Sequence, residues 1–231
     1  MLDFRLIGQY LPDFLSALWM TVQISLLSGI ISLILGTVLG ILSLLEYKVI
    51  NVPIKLFNGF LRSSPLLVQL YLVHYGLPAL GILLVAFQSA IIAFSLNTGS
   101  YISEIVRGGL NSIDKGQYEA SKALGLSWNK TMLKVILPQV FKRILPPLIS
   151  QFSYLIKDTS LAAVLAIPEI TYMARSISST TYKPIESYGV PMIMYFIIYI
   201  IFSVASKIIL NAQKRTVKEN SGNLMGKKRA V

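Results

Sequence analysis

Long segments with few or no charged residues alternate with polar, charge-bearing segments along the chain. Each apolar segment is long enough for a membrane-spanning helix, which needs about 20 residues, and one is long enough for two. Turn-forming residues at 74–81 (HYGLPALG) divide that longer segment. The apolar segments are 14–45, 63–103, 144–167 and 187–206. The pattern predicts an all-α polytopic membrane protein with about five transmembrane helices.

The distribution of Lys and Arg predicts how these helices are oriented. An odd number of spans places the two termini on opposite faces of the membrane. The loops on one face carry 17 of the 21 basic residues, whereas those on the other face carry only Arg5, Arg175 and Lys183. Because basic loops stay on the cytoplasmic side, we expect the C-terminus to be cytoplasmic and the N-terminus to lie outside.

Composition supports a membrane protein and excludes several other classes. The chain is 54% hydrophobic and 13% charged, and its mean hydropathy of +0.66 lies outside the range of ordinary soluble domains. It has no cysteine, which excludes disulfides and thiolate metal sites, and its single histidine, His74, cannot form a metal site alone. The formal net charge of +11 does not indicate nucleic-acid binding, because the basic residues flank the apolar segments.

One membrane domain is expected over residues 1–213, followed by a basic tail over residues 214–231. The tail has no apolar periodicity, and we expect it to be cytoplasmic and disordered, with its basic ends attracted to anionic lipid. At the other end of the chain, residues 2–16 are too polar to span the membrane. We expect them to lie along its outer surface.

A row of small residues recurs at every fourth position in the first predicted span. Its members are Ser28, Ser32, Gly36 and Gly40. Residues at this spacing share one helix face, where a second helix can approach closely. We therefore expect this face to pack against another helix, in the same subunit or a neighbouring one, rather than to line a transport path.

The longest polar segment, residues 104–143, is predicted to be a cytoplasmic loop that contains two short helices. Residues 117–124 form the first helix, with Gly125 as a left-handed stop. Ser127 can cap the second helix, which is expected to end at Leu137–Pro138. On physical grounds alone, this loop is either a rigid projection that a partner binds or a surface hairpin without further function.

Lys157 and Asp158 are adjacent charged residues inside an otherwise apolar span. Charges at this depth are costly and usually functional. Neighbouring residues on a helix point about 100° apart, so the two side chains cannot neutralise each other well. Asp158 could bind the ammonium group of an amino acid by a charge-assisted hydrogen bond. The alternative is a permanent interhelical ion pair, for example between Lys157 and Glu104.

The cytoplasmic loop carries the most specific pattern in the chain. Its segment EASKALGLSWNKTMLKVILP resembles the EAA loop of ATP-binding-cassette importer permeases, whose pattern is E-A-A, three residues, G, nine residues and I-x-L-P. Two positions differ, since Ser121 replaces the second alanine and Val135 replaces the isoleucine. In that family the loop docks into a groove of the ATPase subunit and passes its movement to the helices. The resemblance implies ATPase-coupling residues at Glu119, Ala120, Ser121, Leu124 and Gly125.

Further segments resemble the polar amino acid branch of these permeases, namely LRSSPLLVQLYLVHYGLP, LNTGSYISEIVRGGLNSIDKGQ and LIKDTSL. That branch usually reads R-G-T-P where this chain has R-S-S-P at 62–65. The resemblance, together with the hydroxyl, amide and charged groups of these segments, predicts a path for substrate. Its candidate residues are Asp158, Lys157, Thr159, Ser160, Arg62, Asn97, Ser100 and Glu104.

The chain is expected to be a transport subunit and not an enzyme. It contains no G-x-x-x-x-G-K-[ST] motif and therefore no P-loop for ATP. The resemblance implies a pair of partner ATPase subunits that bind ATP and Mg²⁺, a second permease subunit (identical or homologous) and an extracytoplasmic substrate-binding protein. It further implies an amino acid substrate, a location in the inner membrane of a bacterial cell, and neither a cofactor nor a metal on this chain.

Two other functions would lack the P-loop equally. A gradient-driven carrier or channel for small polar solutes would need no ATPase partner. A non-transporting membrane assembly subunit would use Lys157 and Asp158 as a structural pair. The register of the EAA loop favours the importer.

Overall fold

The computed structural model describes residues 4–229, with the side chains of residues 5, 8–208, 210 and 211. Every regular element in this part of the chain is a helix, which confirms the all-α fold class. The α-helices are α1 (Phe4–Leu42), α2 (Lys48–Ser63), α3 (Leu66–Tyr71), α4 (Ala86–Asn111), α5 (Lys115–Ala123), α6 (Trp128–Thr131), α7 (Leu137–Asp158), α8 (Ile170–Thr181) and α9 (Pro184–Arg229). Short helical turns of other types extend them, namely π-helical turns at Leu72–Gly76 and Met132–Ile136 and 3₁₀ turns at Leu77–Leu80 and Thr159–Leu165.

Two helical segments of the described chain are long and apolar enough to cross a membrane by length and composition. They are Gly8–Leu42 and Pro184–Ile208, and Leu66–Leu80 is a shorter apolar helix. Helix α4 is less apolar because several of its buried residues are polar, among them Asn97 and Thr98. Two of the five predicted spans meet this test within the described residues, so five spans with opposed termini remain a prediction.

The backbone of α9 continues to Arg229. Residues 230 and 231, and the side chains of residues 212–229, lie outside the part that the structure describes. The expectation of a disordered basic tail over residues 214–231 therefore stays a prediction.

Helix α1 is longer than the apolar pattern predicts. It begins at Phe4, so residues 4–16 continue the first helix instead of forming a separate surface segment, and that expectation is wrong; residues 2 and 3 lie outside the described part. The reason is tertiary packing, because Phe14 and Ala17 are almost fully buried against Ile170 and Ala174 of α8. With 39 residues, the helix is about 58 Å long, well beyond the roughly 30 Å of a hydrocarbon core.

The row of small residues packs α1 against α4 within the same chain, which confirms the packing role. A Cβ atom added at Gly36 would lie 2.6 Å from the Gly99 carbonyl oxygen, and one at Gly40 would lie 2.8 Å from the Ser103 carbonyl oxygen. Real Cβ atoms do not approach so closely, so only glycine permits this distance between the helices. Close backbone approach of this kind is how small residues stabilise helix pairs in membranes.

Two of the clusters of buried apolar side chains lie on either side of the segment that follows α7. The first cluster includes Ile24, Phe94 and Leu155, and joins α1, α4 and α7. The second joins the N-terminal part of α1 to α8 and α9 through residues such as Phe14 and Ile177. The connection between α7 and α8 therefore passes through the interior of the fold.

Candidate functional site

A polar cavity of about 360 Å³ lies between the N-terminal end of α3, the middle of α4 and the C-terminal part of α7. Its size falls within the range of about 300–1,000 Å³ that is typical of small-molecule sites. The residues that line it are Ser64, Leu66, Asn97, Tyr101, Gln151, Tyr154 and Asp158. Two of the predicted substrate-path residues, Asn97 and Asp158, are thus brought together by the fold.

Helix α7 contributes three of the lining side chains from one face. Gln151, Tyr154 and Asp158 lie at positions i, i+3 and i+7, which share a side of an α-helix. Sequence analysis missed Gln151 and Tyr154, although this spacing from Asp158 was visible. It also did not include Ser64, which lines the cavity together with Tyr101.

Two buried amides hold the opposite wall of the cavity. The Gln69 side chain donates hydrogen bonds to the Leu61 carbonyl oxygen at 2.6 Å and to the Ser64 hydroxyl at 2.8 Å. The Asn97 amide donates to the Gln69 side-chain oxygen at 3.1 Å. This network fixes the break between α2 and α3 against α4. Ser64, at one of the positions where the chain departs from R-G-T-P, also donates to the Phe60 carbonyl oxygen at 2.9 Å.

Asp158 and Lys157 separate in space, as expected for adjacent residues on a helix. Asp158 is the last residue of α7, is half-buried and faces the cavity, and no hydrogen bond to its carboxylate exists among the described residues. The Lys157 ammonium lies 4.6 Å from the centre of the Tyr154 ring, a cation–π distance. The alternative ion pair between Lys157 and Glu104 is not formed.

Glu104 instead joins two arginines at the α2–α4 contact. Its carboxylate accepts a hydrogen bond from Arg107 at 2.7 Å and lies 3.9 Å from the Arg62 guanidinium. The Tyr101 hydroxyl, one turn earlier on α4, donates to the Arg62 carbonyl oxygen at 3.4 Å. Arg62 and Glu104 therefore lie next to a cavity-lining residue but do not line the cavity themselves.

The remaining predicted path residues do not line the cavity. The Ser100 hydroxyl is fully buried and donates to the Asn97 carbonyl oxygen at 2.6 Å. The Thr159 hydroxyl donates to the Ile156 carbonyl oxygen at 2.7 Å. Ser160 follows Thr159 in the 3₁₀ turn and is half-buried.

The first helix of the cytoplasmic loop, α5, is capped at both ends by local contacts. The Asp114 side chain accepts a hydrogen bond from the Gly116 backbone N–H at 2.6 Å. At the other end, Gly125 has φ of 70°, and its N–H donates to the Lys122 carbonyl oxygen, while the Leu126 N–H donates to that of Ser121. These paired bonds form a Schellman motif, which confirms Gly125 as the left-handed stop.

The exposure of the predicted coupling residues identifies which of them a partner could contact. Glu119, Ala120, Leu124 and Gly125 are exposed, and Leu124 is 79% exposed. Ser121 is 3% exposed, and its hydroxyl donates to the Gln117 carbonyl oxygen at 2.7 Å. The accessible surface therefore consists of four of the five predicted residues.

The second loop helix does not end at Leu137–Pro138, so that expectation is wrong. From α6 the chain passes through the π-helical turn Met132–Ile136 directly into α7. Proline is tolerated in the first turn of a helix, where its missing N–H has no partner to lose, and the wider π-turn before it accommodates the ring. Helix α7 has 22 residues, so about 33 Å of continuous helix connects the loop to the cavity.

Comparison with known proteins relates most of the chain to transport proteins. The family model of the binding-protein-dependent transport system inner membrane component matches residues 32–219. The arginine transport system permease protein ArtQ of Bacillus subtilis (strain 168) is 34% identical over 220 residues, which are 95% of this chain and 99% of that protein. The L-cystine transport system permease protein TcyB of the same organism is 35% identical over 199 residues, covering 86% of this chain and 85% of that protein.

Solved structures agree with these relatives. One titled as an amino acid ABC transporter with histidines has a TM-score of 0.86 and 31% identity, covering 92% of this chain and 99% of that chain. The MetNI methionine ABC transporter in an inward-facing conformation, at 17% identity and a TM-score of 0.75, shares the fold. The chain therefore belongs to the family of binding-protein-dependent transport system inner membrane components, the permease subunits of ATP-binding-cassette importers.

Proposed function

We propose that this chain is the transmembrane permease subunit through which an ATP-binding-cassette importer moves a polar amino acid into the cell. The observation that carries the proposal is the carboxylate of Asp158, which is half-buried, faces the cavity and accepts no hydrogen bond within the described part of the chain. Relatives named for arginine and L-cystine transport support the same class of cargo.

The cavity offers complementary groups for an amino acid zwitterion. Asp158 would accept charge-assisted hydrogen bonds from the ammonium group. The side-chain amide of Gln151 and the hydroxyl of Tyr154 supply neutral donors and acceptors for the carboxylate or a polar side chain. One acidic wall and several neutral polar groups favour a small polar cargo over an apolar one.

Energy for transport would come from partner subunits. The exposed surface of Glu119, Ala120, Leu124 and Gly125 is proposed to contact an ATPase subunit that binds ATP and Mg²⁺. Because α7 continues from the loop to Asp158, movement of the loop would displace one wall of the cavity. A second permease subunit and an extracytoplasmic binding protein would complete the importer.

The proposed membrane arrangement has five spans, with the N-terminus outside and the C-terminus in the cytoplasm. The distribution of Lys and Arg supports it, since a cytoplasmic position of α5 and α6 agrees with the preference of basic loops for that side. The membrane would be the inner membrane of a bacterial cell.

The coupling surface is tested by identifying the partners of the tagged chain after extraction in mild detergent. We expect a P-loop ATPase in stoichiometric amount by mass spectrometry, and its loss in Glu119→Arg, because the substitution reverses a charge on the exposed face of α5. Glu46→Arg is the matched control, since Glu46 is exposed outside α5 and carries the same change. A chain that purifies without any nucleotide-binding partner would indicate a gradient-driven carrier instead.

The cargo site is tested by Asp158→Asn. Because the amide cannot form the charge-assisted bond, we expect uptake of the amino acid by the assembled importer to fall at least about tenfold, the equivalent of about 1.4 kcal/mol. Asp13→Asn is the control, since Asp13 is exposed near the start of α1. Wild-type uptake by Asp158→Asn, or loss of assembly without loss of uptake per complex, would contradict a ligand role.

A further inference from the structure

Lys157 carries a charge inside an apolar span, and the transport mechanism proposed above does not use it. It follows Arg143 by 14 residues, and no other charged residue lies between the two. At the rise of an α-helix this separation is about 21 Å along α7. The Lys157 side chain is nevertheless exposed. Because a charge at such depth is costly in lipid, its exposed ammonium indicates a polar path or a polar ligand beside it.

No carboxylate neutralises Lys157 within the part of the chain that the structure describes. The ion pairs there join Glu104 to Arg62 and Arg107. The Lys157 ammonium instead lies 4.6 Å from the centre of the Tyr154 ring. A cation–π contact of this kind is weaker than a charge-assisted hydrogen bond to a carboxylate. The ammonium is therefore held in place without being committed to a strong partner.

The contact with Tyr154 holds the ammonium at the edge of the polar cavity. Tyr154 lines the cavity, and its side chain is 56% exposed. Lys157 and Asp158 follow it at i+3 and i+4, so the three side chains share one part of the surface of α7. The flexible four-carbon stem of lysine allows the ammonium to move from the ring toward the cavity.

The charges of the cavity lining match only one half of an amino acid. Of the described residues that line it, Asp158 alone is charged. Asp158 suits the ammonium group of a zwitterion, whereas the carboxylate finds only neutral groups. Both groups of an α-amino acid are bonded to the same carbon atom, so the residues that bind them must lie close together. Lys157 meets this condition, because it is adjacent to Asp158 and already lies beside the cavity.

We infer that Lys157 binds the α-carboxylate of the transported amino acid. Before substrate binds, its ammonium rests on the ring of Tyr154. When an amino acid enters, the ammonium leaves the ring and donates charge-assisted hydrogen bonds to the carboxylate. Asp158 accepts hydrogen bonds from the ammonium of the same molecule. The inference rests on the proposed function, since it takes this cavity as the substrate site.

This assignment adds a basis for selectivity to the proposed function. The opposite charges of Lys157 and Asp158 balance each other, and a zwitterion brings no net charge with its two ionised groups. The pair therefore recognises what all α-amino acids share and rejects an amine that lacks the carboxylate. A site with Asp158 alone would bind such amines as readily as amino acids.

Equilibrium binding to the purified permease–ATPase complex, without the binding protein, tests the inference. Labelled arginine, glutamine and cystine are compared, and the one that wild type binds best becomes the probe. The second ligand is the amide of that amino acid, which keeps the ammonium and the side chain but has no negative charge. Lys157→Met removes the charge and keeps an unbranched side chain. Lys142→Met is the matched control, since Lys142 is exposed on the same helix and does not line the cavity.

We expect Lys157→Met to raise the Kd for the amino acid about 10- to 100-fold, the effect of losing a hydrogen bond between charged groups. The Kd for the amide should stay close to that of wild type, because the amide has no carboxylate to lose. Lys142→Met should leave both Kd values unchanged. Equal weakening of both ligands in Lys157→Met, or no change in either, would overturn the inference. So would a wild-type complex that binds the amide as tightly as the amino acid.

If Lys157→Met does not assemble, Lys157→Gln provides the same test with a polar side chain. Failure of both variants to assemble would mean that the ammonium serves the structure and not the ligand, which overturns the inference. Asp158→Asn in the same assay distinguishes the two proposals, since it should weaken the amino acid and the amide alike. That result together with wild-type binding in Lys157→Met overturns the role of Lys157 alone. No binding by wild type overturns both proposals.

Discussion

Helix α5 of the cytoplasmic loop is stabilised by contacts between residues that are close in sequence. The segment between α7 and α8 is stabilised by contacts between residues that are far apart in sequence. The caps of α5 join residues that are at most five positions apart, from Asp114 to Gly116 and from Ser121 to Leu126. The segment after α7 depends on Tyr195, which lies 26 positions from Glu169, and on Thr21, which lies 149 positions from Ile170.

This difference fits the proposed roles of the two regions. A surface that a partner binds needs a rigid shape of its own, and α5 obtains one from short-range caps. A cavity that must change during transport benefits from contacts made by several helices, because each movement of those helices alters it. The wall formed by Gln69 and Asn97 is assembled in the same long-range way.

Gln69→Leu should have the largest effect on stability. The substitution removes the donor for the buried Leu61 carbonyl oxygen and the half-buried Ser64 hydroxyl, and the acceptor for the buried Asn97 amide. Unsatisfied buried groups cost about 1–3 kcal/mol each, so we expect a loss of about 3 kcal/mol. Thermal unfolding of the purified complex measures it.

The matched control for that substitution comes from the loop. Gln139→Leu removes donors to the Val135 carbonyl oxygen and the Gln117 side chain, a contact that is exposed on one side. Because water can replace it, the expected loss is below about 1 kcal/mol. Equal losses in the two variants would mean that the long-range network stabilises the fold no more than a surface contact does.

Gly125→Ala should have an intermediate effect that is confined to the loop. An added Cβ meets no atom within 4 Å, so the cost comes only from the left-handed φ of 70° and is about 1–2 kcal/mol. We expect weaker binding of the ATPase in the pull-down from membranes, while amino acid binding by assembled complexes stays unchanged. Gly108→Ala is the control, because Gly108 is helical, exposed and equally open. Weaker amino acid binding by assembled complexes of Gly125→Ala would contradict the independence of the two regions.

Ala166→Gly should have the smallest effect, and in the opposite direction. Glycine adopts the left-handed conformation of this position without strain, although it gives the unfolded chain more freedom. We expect a net gain of about 0.5 kcal/mol in thermal unfolding. A loss of stability would show that Ala166 contributes packing that outweighs its strain.

Much of the loop could be predicted because its signals are local. Gly125 marks a helix stop by its backbone freedom. The Ser121 carbonyl oxygen, which takes part in the cap, is only five positions from its donor Leu126. The end of the second helix was predicted wrongly at Pro138, since a proline terminates a helix only where the preceding turn cannot widen, and here a π-turn accommodates it.

The cavity was predictable only in part. Asp158 was identified because a charge in an apolar span is conspicuous, and Asn97 because it belongs to a recognisable segment. Gln151 and Tyr154 were missed, although they share the helix face of Asp158, since neutral polar residues inside a span have many uses. Glu104 was expected in the substrate path or paired with Lys157, and it instead contacts Arg62 and Arg107.

By itself the sequence determined the all-α class, the family, the small-residue face of α1 and the caps of α5. These follow from composition, from periodicity and from contacts a few residues apart, all of which a linear pattern contains. The tertiary structure alone decided that α1 begins at Phe4, that Gln69 closes the wall of the cavity and that Glu169 reaches Tyr195. These contacts depend on how whole helices pack against each other. The residues that they join are far apart in sequence, so no periodic pattern in the sequence reveals them.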